Sequence, residues 1–477
     1  MHFDATTVAW VLVTGEWVIR LAMVVVVPFR RTPDAAKAWL LLVFFEPWIG
    51  LALYLLIGRP RMPRWRRDQL KRLPEVLVQF GRRCQFEPKV SRSELEARVA
   101  DSVRLTENLG HLAIVDGNAV EILTEYGRII DRLVEDIDAS RKNVHVLYYL
   151  FIPDATGMRI VEALERAAAR GVRCRVLMDA HGSRGALKSL GPRMSAAGIE
   201  LHAACSVGLF GRRILRPDLR NHRKIAVIDG RVGYTGSMNL VDPGFKQGIV
   251  YEELVIRVTG PVVLQLQSVF ASDWFIETDE SLDSEDVFPE PRHCGFTLAQ
   301  CLPSGPDFPS LNNQKLFVAL FHSARQRIVI TTPYFIPDEP LIQALETAVL
   351  RGVEVHLILS DRSDQRMVGL GQRSYYEDLL RAGVRIHLYR QNFLHAKHIS
   401  IDDHVCVIGS SNMDIRSFVL NAEITMIVYD RDVAQNLRIE EQRYYRHCVT
   451  LDLGRWCERP LRTQMAEAVA RLMSPLL

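Results

Sequence analysis

Two uninterrupted apolar runs open the chain, residues 5–28 (ATTVAWVLVTGEWVIRLAMVVVVP) and 38–57 (AWLLLVFFEPWIGLALYLLI), each near the ~20 residues that cross a hydrocarbon core as a helix. They predict a two-helix transmembrane hairpin over residues 1–58. Beyond residue 115 the pattern changes to short apolar runs bounded by turn residues, alternating with stretches that are apolar on one helical face. VLYYLFIP (146–153) and IVITTPYFIP (328–337) read as buried strands, and the FIP that closes each is followed by Asp, at Asp154 and Asp338. One-sided helices come next, EALERAAARGV (162–172) and QALETAVLRGV (343–353), leading into the strands CRVLMDA and EVHLILS. AAGIELH (196–202) and RAGVRIH (381–387) then repeat the pattern.

Matched segments that keep their order at a separation of about 180 residues are too far apart for a solenoid and predict a duplicated α/β domain. The predicted division is a hairpin at 1–58, a basic lead-in at 59–115, a first α/β domain at 116–280, a connection at 281–310 and a second domain at 311–477. Residues 277–292 (ETDESLDSEDVFPEPR) are acidic and contain proline, as suits an exposed connection.

Composition changes this picture only at the membrane end. With 48% hydrophobic residues and a mean hydropathy just above zero, the chain is more apolar than a wholly soluble enzyme of this size. The net charge of +3 does not point to nucleic acid. Three basic residues stand between the apolar runs (FRRTPDAAK), against seven in residues 59–72 (RPRMPRWRRDQLKR), so the N-terminus and everything past residue 58 are expected on the cytoplasmic side of a bacterial inner membrane. The opening MHFD lacks the basic start of a signal peptide, and a second apolar run follows. Glu16 and Arg20 are spaced to pair on one helix face, and Glu46 stands beside Pro47. Eight cysteines without a CxxC pair support neither a metal site nor a disulfide framework.

The chemistry lies in one string that occurs twice, NHRKIAVIDGRVGYTGSMN at 221–239 and LHAKHISIDDHVCVIGSSN at 394–412. Both have the form H-x-K-x4-D-x6-G-S-x-N. His222, Lys224, Asp229, Ser237 and Asn239 therefore match His395, Lys397, Asp402, Ser410 and Asn412 at identical spacing. In a strand, residues two apart face the same side, so each histidine projects with its lysine. Two such strands brought together by pseudo-twofold packing surround one pocket with two imidazoles and two ammonium groups, a site for a phosphodiester that needs no metal. One imidazole can attack phosphorus while the other protonates the departing alkoxide. For an isolated strand histidine such as His145, His202 or His387, a hydrogen-bonded structural role is the default reading.

This residue set resembles the phospholipase D superfamily with its paired HKD motifs. The resemblance implies a covalent phosphohistidine without a cofactor, with His222 as nucleophile and His395 as acid and base. It also implies that acidic residues downstream, matched by Glu253 in YEELVI and Glu423 in LNAEITMI, orient a histidine, and that Asp229 and Asp402 hold imidazole tautomers. RNHRKIAVIDGRVGYTGSMNLVDP, SGPDFP, TTPYFIPD, MDIRSFVLNAEI and the ending RWCERPLRTQMAEAVARLMSPLL are similar to bacterial cardiolipin synthases over nearly the whole chain. That similarity implies phosphatidyl transfer between two phosphatidylglycerol molecules to give cardiolipin and glycerol. A phospholipase or another phosphatidyltransferase on the same scaffold is the alternative; a nuclease would favour a strongly basic groove and no hairpin. Residues 207–217 (VGLFGRRILRP) mix Leu209 and Phe210 with Arg212 and Arg213, which reads equally as a membrane-dipping segment or an ordinary surface loop. The expected partners are the two lipids and the bilayer; a homodimer is left open.

Overall fold

The computed structural model describes residues 5–31, 33–58, 66, 97–206, 218–308 and 311–472. By internal contacts the chain divides into two units, residues 1–68 with 207–219, and residues 69–206 with 220–477.

In the first unit Ala5–Val26 is one helix, and its 18-residue window Ala9–Val26 is long and apolar enough to cross a membrane. The second apolar run does not form the single spanning helix expected of it. It splits into Pro33–Phe45 and Pro47–Leu53, because Pro47 lacks an N–H and forces Glu46 out of the helical region, to φ −131° and ψ 78°. The break frees carbonyls at the end of the first piece. Arg20 donates from Nε to one of them, Phe44 O, at 3.1 Å, while its Nη2 pairs with Glu16 at 3.2 Å. The two charges in the first run thus satisfy each other and the broken turn.

Among the described residues the second unit holds twenty strands, sixteen in one sheet and four in two short side pairs. Its first part holds β1 (Val115–Leu123), β2 (Asn143–Tyr148), β3 (Arg173–Asp179), β4 (Glu200–Ala204), β5 (Arg220–Asn221), β6 (Lys224–Ile228), β7 (Val232–Gly236), β8 (Tyr251–Glu252), β9 (Val255–Thr259) and β10 (Thr297–Ser304). The rest are β11 (Arg327–Thr332), β12 (Phe335–Ile336), β13 (Glu354–Ser360), β14 (Arg385–Tyr389), β15 (Phe393–Leu394), β16 (His398–Ile401), β17 (Val405–Gly409), β18 (Met413–Asp414), β19 (Asn421–Tyr429) and β20 (Cys448–Thr450). The order across the sheet is β20-β14-β13-β11-β16-β17-β19-β10-β1-β9-β7-β6-β2-β3-β4.

Inward from either side the same pairing types recur. Three parallel strands (β4, β3, β2 and β14, β13, β11) give way to antiparallel ones (β6, β7, β9 and β16, β17, β19). The inner parallel strands β2, β3, β11 and β13 are buried almost throughout and accordingly read as largely apolar runs. The helices after β2 and β11 are N-capped by the repeated aspartates, Asp154 accepting from Gly157 N and Asp338 from Leu341 N.

Residues 281–310, expected as a connection, contain β10, which pairs with β1 on one side and β19 on the other. The lead-in likewise contributes Val99 and Val103, on the helix Ala97–Gly110, to the core around Leu316 and Phe321. Local polarity is blind to a strand whose partners lie over a hundred residues away.

Candidate active site

Each H-x-K begins on a two-residue strand that pairs with the other half of the sheet. β5 runs parallel to the start of β19, with Ala422 opposite Asn221, and His222 N donates to Ala422 O at 2.9 Å. β15 runs parallel to β8, with Glu252 opposite Leu394, and His395 N donates to Glu252 O at 2.8 Å. Each histidine therefore hangs one residue short of a glutamate from the opposite half. His222 Nδ1 lies 2.9 and 3.0 Å from the two carboxylate oxygens of Glu423, and His395 Nδ1 lies 2.7 Å from Glu253 Oε1.

Both glutamates are fixed from behind by the motif's serine. Ser237 Oγ donates to Glu253 and accepts from Leu254 N, and Ser410 Oγ donates to Glu423 and accepts from Ile424 N. The preceding glycine permits this approach: a Cβ on Gly236 or Gly409 would stand 2.4 Å from Leu254 O or Ile424 O. Since the carboxylates accept, each Nδ1 carries a proton and each Nε2 is left to face the pocket, as a lone pair that attacks or, once protonated, as an N–H that donates.

The lysines lie almost wholly inside. Lys224 Nζ donates to His222 O at 2.7 Å and Lys397 Nζ to His395 O at 2.8 Å, with Lys397 also 3.1 Å from His395 Nε2. Burial brings Lys224 down to about 7 and Lys397 to about 8. Burial likewise lowers His222 to about 4, against the pull of Glu423, and both lysines push it further down. His395 is lowered too, by burial, while Glu253 opposes and Lys397 and Lys224 add. Each histidine thus feels the lysine of the other half as well as its own. Glu253 stays below the ordinary carboxylate range although burial pushes it up, because His395, Lys397 and Ser237 outweigh that push.

The family description "Cardiolipin synthase, PLD-like domain" matches residues 133–274 and 317–444. The chain is 32% identical to cardiolipin synthase A of Pectobacterium carotovorum subsp. carotovorum (strain PC1), over 99% of both chains. It is equally similar, 32% over 99% of both, to cardiolipin synthase A of Escherichia coli O1:K1 / APEC. The chain belongs to the phospholipase D-like cardiolipin synthase family. Among solved structures, phosphatidylserine synthase of Haemophilus influenzae Rd KW20 shares the fold, with a TM-score of 0.59 and 16% identity over 79% of this chain and 100% of that one.

Of the three residues that name the family's HKD motif, the aspartate stands apart here. Asp229 and Asp402 were expected to hold imidazoles, and neither touches one. They sit at the far ends of β6 and β16 in left-handed turns, both with φ 53°, a conformation aspartate tolerates better than most residues. Asp229 accepts from the backbone N–H of Arg141, Lys142 and Asn143, and Asp402 from those of Arg325, Gln326 and Arg327. Four strand residues separate each aspartate from its lysine, and the glutamates do the orienting instead. Asp402→Ala should lower stability by about 2–3 kcal/mol, and the more exposed Asp229→Ala by about 1–2 kcal/mol, through orphaned N–H groups. Thermal unfolding with activity normalised to folded protein checks this; lost turnover at unchanged Tm would restore the aspartates to the site.

Asn239 Oδ1 accepts from Leu150 N at 3.3 Å, whereas Asn412 Oδ1 is buried without a partner among the described residues. Leu209, Phe210, Arg212 and Arg213 lie outside the described residues. Sequence reasoning missed the supports. Arg223, between His222 and Lys224, is buried against Asp273 and donates to the carbonyls of Glu423 and Ser304, tying the halves together under the site. Tyr149 stands edge-on to His222 at 4.8 Å, and Tyr251 to His395 at 5.3 Å. The hydroxyls of Tyr251 and Tyr334 both donate to Asp364, which also pairs with Lys246. Tyr149 lay within the repeated strand and was findable there; no local pattern marks Asp364.

Proposed function

We propose that this chain makes cardiolipin by moving a phosphatidyl group from one phosphatidylglycerol to the hydroxyl of another. The observation that carries the reading is the pair of imidazoles, each held at Nδ1 by a glutamate of the opposite half, with two buried lysines beside them. His222 Nε2 attacks phosphorus, the bond to the glycerol headgroup breaks, and the departing oxygen takes a proton from His395. The second phosphatidylglycerol then gives its hydroxyl proton to His395, attacks the phosphohistidine, and releases His222. Lys224 and Lys397, with Asn239 and Asn412, supply positive charge and donors to the phosphoryl oxygens. One phosphodiester replaces another, so no nucleotide drives the reaction.

The repeated strand pattern supports an origin by duplication, with two α/β domains meeting about a pseudo-twofold axis. The apolar runs support insertion in a bacterial inner membrane as a hairpin, and the basic excess after residue 58 supports a cytoplasmic catalytic part. The test is purified protein in detergent with phosphatidylglycerol, chelator and no nucleotide, read by lipid mass spectrometry. Cardiolipin plus glycerol is expected; phosphatidic acid alone would mean a hydrolase, and no product from any phospholipid would overturn the reading.

The pH profile follows from the burial of the site. In the free enzyme His222 must be unprotonated to attack, so kcat/KM should rise through about pH 4. Lys224 and Lys397 must be charged to hold the phosphodiester, so it should fall as pH passes about 7 to 8. His395 must hold the proton it gives to the leaving group and is lowered by burial, so a first fall comes below the ordinary imidazole range, and the limb at about 7 to 8 belongs to the two lysines as a coupled pair. A profile flat from pH 6 to 10 would refute the role given to the lysines.

A further inference from the structure

The C-terminal helix Leu461–Leu472 packs inside out. Its inner side is polar or small: Glu467 and Ala470 are buried, and charged groups strap the helix down. Arg459 pairs with both Glu467 and Glu377, and Arg471 pairs with Asp378 and stacks on the Tyr375 ring at 4.6 Å. The outer side is apolar. Leu461, Met465, Val469 and Leu472 follow one another at helical spacing and are 70%, 61%, 59% and 80% exposed. A soluble helix normally places such a stripe inward, since each large apolar side chain gains roughly 1.5–3 kcal/mol on burial.

Two further observations say what covers this stripe. Arg462 is exposed on the same face, and Arg366 is exposed beside Met367, itself 46% exposed, on the neighbouring helix Arg366–Arg373; among the described residues neither arginine has an acidic partner. The acidic groups against which the helix packs, Glu377, Asp378 and Glu467, are each already held by an arginine, and the exposed Glu458 lies before its first turn. The outward face is thus apolar and basic, the combination that seats a helix in the headgroup boundary of an anionic bilayer. The neighbouring helix, against which the C-terminal helix packs, begins two residues after Asp364, the carboxylate that holds Tyr334 and Tyr251 beside His395. The helix that carries the stripe is thus linked to the rim of the active site through Arg366–Arg373.

We propose that the outer face of Leu461–Leu472, with Met367, rests in the interface of an anionic membrane and sets the active-site rim against the lipid surface. The proposal rests on the reading of the site as one that takes a bilayer lipid. A helix of twelve residues, about 18 Å long, lies in the interface plane and does not span.

The test uses the full-length protein in nanodiscs of phosphatidylglycerol and phosphatidylethanolamine, with a benzophenone amino acid at position 465. After irradiation, intact mass spectrometry should find protein carrying the mass of one phospholipid. An adduct of twice the protein mass would show that a second copy covers the face, and no adduct would show that water does; either overturns the proposal. In parallel, Leu461→Gln, Met465→Gln and Val469→Gln combined should raise the surface concentration of phosphatidylglycerol needed for half-maximal rate by about 5-fold, with kcat and Tm unchanged. An unchanged half-saturation would count against the proposal. The lipid adduct does not depend on turnover, so a failure to make cardiolipin would sink the functional reading while leaving the membrane face standing.

Discussion

His395→Ala is expected to lose at least about 10³-fold in turnover on phosphatidylglycerol, yet still to release one equivalent of leaving group from a phosphatidyl ester of a nitrophenol. The glycerol alkoxide needs a proton to depart and His395 supplies it; a nitrophenolate departs without one. His222 in this variant keeps its Glu423 and both lysines, so it attacks once. The acceptor hydroxyl then has no base, and the phosphatidyl group stays on the imidazole. A burst of nitrophenolate, with the adduct mapped to the peptide carrying residue 222, is the predicted readout. His222→Ala should give no burst and should lose about 10⁴-fold or more on either substrate, because no other group present can form the intermediate. A burst from His222→Ala, or an adduct on residue 395, would reverse the assignment of the two histidines.

The glutamates should separate along the same line, but crosswise. Glu423→Gln, although its residue lies in the second motif's half, should suppress the burst by about 10²-fold, since it is His222 that loses its carboxylate partner. Glu253→Gln should leave the burst nearly intact while slowing turnover on phosphatidylglycerol to a similar degree, because its partner His395 acts only when a proton must move. Glutamine keeps the shape and one acceptor oxygen, so each loss measures the missing charge rather than a collapsed pocket. If Glu253→Gln abolished the burst and Glu423→Gln spared it, each glutamate would be serving the histidine of its own half, contrary to the geometry.

Much of the site could be read from the chain alone. Spacing by two in an extended segment put each histidine and lysine on one face, and the Gly-Ser pair announced a close backbone approach that a Cβ at Gly236 or Gly409 would block. Strand and helix character followed from period, because burial on both faces makes continuous apolar runs and burial on one face makes a helical stripe. Where propensity met a local breaker, at Pro47, the length of an apolar run misled, since the run is apolar throughout but helical only on either side of Glu46.

Most of the elements, the repetition and the two H-x-K pairs were legible in the sequence, because each depends on side chains close along the chain. Which glutamate serves which histidine depends on long-range strand pairing. β5 pairs with β19 and β15 with β8, so the partners stand 201 and 142 residues apart, a distance at which no periodicity speaks. The tertiary structure also moved Asp229 and Asp402 from the chemistry to the turns. Four strand residues between lysine and aspartate carry the carboxylate to the opposite end of the strand, where the donors it meets are backbone amides rather than an imidazole.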